Sequence, residues 1–179
     1  GARAGQIQCC RGRPSDLDVH HRHRGVPRHQ ADAQRRRRVA DDAETGKPAW
    51  RFWSIARPGE PGGNSWNDLP LEKRNGGSIW TASSYDPELN LIFFGPAPTY
   101  DTGPLAKPVN KKGVTNDALF TNATIAVNPD TGQRVWHYQH VANDQWDFDW
   151  AFERQIVRMP VNGQMKKVIV TGGKQAVYD

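Results

Sequence analysis

The sequence predicts an all-β fold of antiparallel sheets repeated about an axis, a β-propeller, and three observations carry that expectation. From Val39 onward, short apolar or alternating runs are separated by clusters of Gly, Pro, Asn and Asp. No window shows the 3.6-residue apolar period of a helix. A turn motif also occurs twice: Ala40-Asp41-Asp42-Ala43-Glu44-Thr45-Gly46-Lys47-Pro48-Ala49-Trp50 matches Ala126-Val127-Asn128-Pro129-Asp130-Thr131-Gly132-Gln133-Arg134-Val135-Trp136. One copy is an ordinary hairpin turn. Two copies in register, 86 residues apart, argue for radial repetition of sheets rather than a sandwich.

Taken in order, the expected strands cover residues 78–85, 89–95, 124–128, 134–139, 155–159, 167–171 and 176–178. In each copy of the repeat a strand ends at Asp42 or Asn128, and Thr-Gly supplies a turn with positive φ. Trp50 or Trp136 then rides the returning strand. Trp136 is expected to be buried against an adjacent blade, as a large aromatic anchor between sheets.

Residues 1–38 are of a different kind. They hold ten Arg and three Asp and have no Lys, Glu, Phe, Tyr or Trp, so they cannot build a core. Removing them from the chain's 24 basic and 19 acidic residues leaves 14 against 16, so the net charge of +5 comes from this arm. Two readings follow. A disordered basic arm could bind nucleic acid or anionic lipid through counterion release. Alternatively, the Arg/Ala/Gly/Pro/His bias that stops at Val39 is what a GC-rich gene yields when translated out of frame. The second is preferred, because the arm lacks the aromatics and spaced Lys of a nucleic-acid binder. Cys9 and Cys10 are adjacent within the arm and imply no disulfide framework. The cluster His20, His21, His23 and His29 lacks the spaced second half of a zinc site. No apolar run reaches the eighteen or so residues of a membrane-spanning helix. The chain opens at Gly1 without Met or a signal-peptide pattern, which reads as a fragment.

The strongest functional signal is Asn143-Asp144-Gln145-Trp146-Asp147-Phe148-Asp149-Trp150. In an extended segment residues i and i+2 point the same way, so Asp147 and Asp149 could converge on one cation or one substrate proton. A strand-ending turn with packed aromatics is the other account of the same string.

The Trp-terminated repeat, the run from Gly76 to Gly95, the run Asn143 to Asp149 and the closing run from Val168 to Asp179 together resemble the quinoprotein alcohol dehydrogenases. These are eight-bladed propellers that use pyrroloquinoline quinone (PQQ). The resemblance covers residues 39–179 and implies one nearly complete four-stranded blade with parts of its two neighbours. It implies that Trp80 forms the floor beneath the planar quinone. It implies Asp147 as the general base and a metal ligand, Asp149 as an additional carboxylate on the metal, and Lys174 as a hydrogen-bond donor to the quinone oxygens. The metal is then Ca2+, or a lanthanide, which favours the added carboxylate of Asp149.

Two departures from the family pattern stand beside these matches. Where the family places a metal-binding Asn after the second strand, this chain has Pro98, which offers no side-chain ligand. The upstream acidic ligand falls in the Arg-rich region, where no matching motif is found. The sequence therefore predicts a fragment of a periplasmic PQQ-dependent dehydrogenase, itself inactive, whose parent oxidises an alcohol or sugar and passes electrons to cytochrome c or a membrane quinone. The alternative is a propeller scaffold that has lost its cofactor. Nucleic acid is not an expected partner.

Overall fold

The computed structural model describes residues 37–179. Eight strands follow in order: β1 (Arg37–Asp41), β2 (Pro48–Trp53), β3 (Ser84–Asp86), β4 (Leu91–Phe94), β5 (Ala123–Val127), β6 (Arg134–Gln139), β7 (Gln155–Val161) and β8 (Gln164–Val170). They make three antiparallel sheets: the hairpin β1-β2, the meander β3-β4-β5-β6, and the hairpin β7-β8. The fold is all-β, as expected. Among the described residues the only helical pieces are three short 3-10 turns, at Gly63–Ser65, Leu71–Lys73 and Gly103–Leu105. The meander is one complete four-stranded blade of a partial propeller.

The two copies of the repeat fold alike. Asp42 Oδ1 accepts the Thr45 amide at 2.7 Å and Asn128 Oδ1 accepts the Thr131 amide at 3.2 Å. Gly46 N–H closes on Asp42 O at 2.8 Å, and Gly132 N–H on Asn128 O at 2.9 Å. Both glycines have positive φ, 67° and 71°, where a side chain would be strained. The β7-β8 hairpin turns through Asn162-Gly163, both with positive φ, the pairing a two-residue primed turn requires.

Docking between blades is carried by Trp50. Its Nε1 donates to Pro129 O at 2.6 Å, and a Cβ on Gly132 would lie 2.5 Å from the indole, so the first hairpin's Trp sits on the second copy's turn. Trp136 departs from expectation: it is 37% exposed and meets Phe93 at 5.7 Å. No turn of the described residues reaches it in the way that the turn 129–132 reaches Trp50. The core lies between the first hairpin and the blade, where Phe52 meets Phe94 edge-on at 5.4 Å beside Trp66, Leu105, Phe120 and Ile125. Strand β5 is buried at all five positions, as a strand covered on both faces must be.

Several strand ends shift by one to three residues from the sequence expectation, and three departures are of another kind. Strand β1 opens at Arg37, so Arg37 and Arg38 pair with Trp53 and Phe52, although the composition boundary puts them in the arm. The rest of the arm, with its Cys and His clusters, lies outside the described residues. The strand expected over 78–85 is formed only at Ser84–Asp86, because the segment facing Ser78 holds Pro96 and Pro98, which have no N–H to give a ladder. Only Ala97 N–H to Ser78 O and Gly77 N–H to Pro98 O remain. The strand expected over 176–178 is reduced to a single bridge between Gly172 and Tyr178.

Candidate functional site

After β6 the chain turns through residues 140–150, and Asp144 organises that turn. Its fully buried carboxylate accepts the Trp146 amide (2.8 Å), the Phe148 amide (2.8 Å) and the Asn122 side-chain amide (2.6 Å). Asn122 Oδ1 in turn accepts the Trp150 amide at 3.1 Å. Asp147 and Asp149 thus sit on a turn pinned at both ends. Both have left-handed backbone, φ 62° and 56°, which Asp tolerates better than most residues. Strand alternation is therefore not what brings their carboxylates together, as the sequence reading supposed.

Lys174 unites them. Its Nζ lies 2.9 Å from Asp147 Oδ2 and 3.3 Å from Asp149 Oδ2, and its amide donates to Phe148 O at 2.7 Å. The two carboxylates face different surroundings. The Asp147 side chain is 52% exposed and that of Asp149 only 9%. Burial pushes the Asp149 carboxyl up, against the opposing pull of Lys174. Lys174 is raised, first by its hydrogen bond to Asp147. Asp149 Oδ1 is buried with no hydrogen-bond partner among the described residues. An unpartnered buried carboxylate oxygen is costly unless something cationic or protic meets it.

Trp80 is 52% exposed and touches Phe152 edge-on at 5.8 Å, ring planes at 81°, which leaves indole surface open. It is tied to the segment after Asp149, not to the carboxylates: next to it, the Thr81 hydroxyl donates to Ala151 O. Pro98 is fully buried, and its carbonyl accepts Gly77 N–H at 3.2 Å. Among the described residues no group of three or more His, Cys, Asp or Glu is placed to hold a metal ion. Asp147 and Asp149 therefore offer two carboxylates and no third.

Sequence reasoning missed Tyr100 as a site neighbour. Its phenol is pushed up by burial first, then by the negative charges of Asp149 and Asp147, and it hydrogen-bonds Ser78. Its place two residues after Pro98 was the available signal. Arg154 was also missed: its buried guanidinium donates to Phe152 O, to Ala123 O at 2.9 Å and to Trp150 O at 2.7 Å, and burial pulls its pKa down to about 10.

The family model described as the PQQ "Glucose/ethanol/alcohol dehydrogenase, beta-propeller domain" matches residues 23–178. The chain belongs to this family. The PQQ-propeller match begins inside the Arg-rich segment and runs almost to the last residue. The quinohemoprotein alcohol dehydrogenase ADH-IIG of Pseudomonas putida is 35% identical over 152 residues, covering 78% of this chain and 20% of that protein. The dehydrogenase subunit of the quinone alcohol dehydrogenase of Gluconobacter oxydans is 33% identical over 154 residues, with the same coverage. Among solved structures, the Pseudomonas putida ADHIIG enzyme superposes with a TM-score of 0.67 at 33% identity, over 78% of this chain and 21% of that one. A europium-containing methanol dehydrogenase gives 0.65 at 25% identity, over 76% and 26%. The chain spans about a fifth of the length of these curated relatives.

Proposed function

We propose that the protein bearing this chain oxidises an alcohol or sugar with PQQ, and that these residues form part of its cofactor face. The observation that carries this reading is the Asp147–Lys174–Asp149 cluster with the unpartnered Asp149 Oδ1. It is supported by family membership and by relatives named as quinone and quinohemoprotein alcohol dehydrogenases.

The residues fit the cofactor in kind. The open indole surface of Trp80 offers a flat π platform. A bound quinone supplies a hydride acceptor. Asp147, the more exposed carboxylate, takes the alcohol proton at its side-chain oxygens, with the Lys174 ammonium 2.9 Å away. Lys174 also holds donors for electron-rich oxygens beside the carboxylates. Asp149 contributes a buried oxygen to a hard cation, Ca2+ or a lanthanide, which needs further oxygens from elsewhere to reach its usual six to eight. The substrate being an alcohol or sugar, the electron acceptor a cytochrome c or membrane quinone, and the periplasmic address are part of the same proposal.

Pro98 favours a second reading, a non-catalytic propeller scaffold, since it removes a ligand where the family has one. The deciding experiment reconstitutes the full-length protein with PQQ and either Ca2+ or a lanthanide. Quinone absorbance and reduction of an artificial acceptor dye are the expected result, with Asp147→Ala cutting kcat by about 10^2 to 10^4 while PQQ still binds. Failure to bind PQQ or any cation leaves the scaffold reading in its place.

A further inference from the structure

Lys174 reaches the carboxylates from a loop rather than from a strand, so something must hold that loop. The described contacts name it. Trp150, one residue after Asp149, donates from Nε1 to Gln175 Oε1 at 3.1 Å. Its indole lies against the backbone of Gly173: a Cβ there would meet Cε2 at 2.6 Å and Nε1 at 2.7 Å. Gly173 has no positive φ, so the requirement for glycine at this position is one of space alone. The indole is itself stacked on His140, centroids 4.3 Å apart and planes at 5°. His140 is held at both ring nitrogens, by Asp179 at 2.5 Å and by Thr124 at 2.8 Å.

We infer that Gly173 and Trp150 are positioning residues that set the Lys174 ammonium between Asp147 and Asp149. The small residue lets the indole close against the loop, and the indole's bond to Gln175 fixes the far side of Lys174. A methyl group at 173 pushes the loop off the indole and carries Nζ away from both carboxylates. The significance of this for catalysis rests on the reading of Asp147 as the base; the placement itself does not.

The test is amine acylation in the full-length apo-protein. Acetic anhydride is applied at mildly alkaline pH, and each lysine's rate is read by peptide mass spectrometry, with exposed Lys107 and Lys112 as free-amine references. Lys174, bound to two carboxylates, is expected to react slowly. Gly173→Ala is expected to raise its rate toward that of Lys107 and Lys112 and of Lys174 in Asp147→Asn, because the displaced amine is no longer held by the carboxylates and is open to the reagent. Lys167, paired with Asp86 at 2.8 Å and Glu88 at 2.6 Å, reports general loosening and is expected to stay slow. If Gly173→Ala does not fold, Trp150→Phe, which deletes the bond to Gln175, is expected to give a smaller acceleration confined to Lys174. Unchanged Lys174 reactivity in a folded variant, or equal acceleration of Lys167, overturns the inference. Absence of PQQ binding or turnover with these acylation results intact would instead remove the proposed function and leave the positioning role standing.

Discussion

At the scale of single residues, the site separates two carboxylates by environment. Asp147 is open to solvent and to Lys174, whereas Asp149 is buried with one oxygen unpartnered. Asp149→Ala in the reconstituted protein is therefore expected to weaken metal affinity, and more for a trivalent lanthanide than for Ca2+, because the higher charge loses more from a missing carboxylate. Metal titrations of wild type and variant check this; equal losses for both ions would contradict it. His140 gives a pH dependence. Burial draws its pKa below the ordinary 6.5, Arg154 adds to that, and Asp179 opposes it. The folded state then binds the proton less readily than the unfolded chain. Its stability contribution is present above about pH 6.5 and declines as the pH falls below that value. Thermal melts of the full-length protein between pH 8 and 5 are expected to show a steeper acid loss in wild type than in His140→Gln. Parallel curves would rule the effect out.

At the scale of elements, the repeat works because a short polar turn and a glycine make a flat seat for an indole. Asp42 and Asn128 hold their turns with side-chain oxygens, and Gly132 lets Trp50 reach Pro129 O. Gly132→Ala combines a strained φ with contact against the Trp50 ring, so a loss of about 2–3 kcal/mol is expected from the sum of the two effects. Denaturant unfolding measures it; a loss under about 0.5 kcal/mol, the range of an indifferent surface change, would show that the seat yields freely. Arg154 joins elements differently. Its guanidinium holds carbonyls of β5 and of the segment after Asp149, and Gly95 leaves it room. Arg154→Met leaves those carbonyls without a donor and is expected to cost about 3 kcal/mol. A neutral substitution would mean that the carbonyls find other partners.

At the scale of the whole molecule, each two-stranded sheet leaves ladder edges unpaired among the described residues. Open edges pair with other chains, and blades in a repeat array rely on their neighbours. The 179-residue polypeptide expressed alone is expected to associate with rising concentration and to melt below the full-length protein. Light scattering that reports a stable monomer at high concentration would count against this.

What the sequence by itself determined is local. The β class and the twin turns follow from residues within ten or so positions of one another, where backbone preference and short-range hydrogen bonds decide. Asp147 and Asp149 are neighbours by their spacing, but left-handed turn geometry and Lys174 bring them together rather than the strand alternation expected there, and Trp80 and Lys174 are singled out by the sequence only through resemblance. Tertiary structure decided the remainder. Lys174 crosses 27 positions to reach Asp147, Trp50 crosses 79 to reach Pro129, and Asp149 differs from Asp147 only through what covers it. Such contacts depend on which strands lie beside one another and on the space that glycines at 95, 132 and 173 leave. Spacing along a chain carries no information about that space, because packing is settled by the whole fold at once.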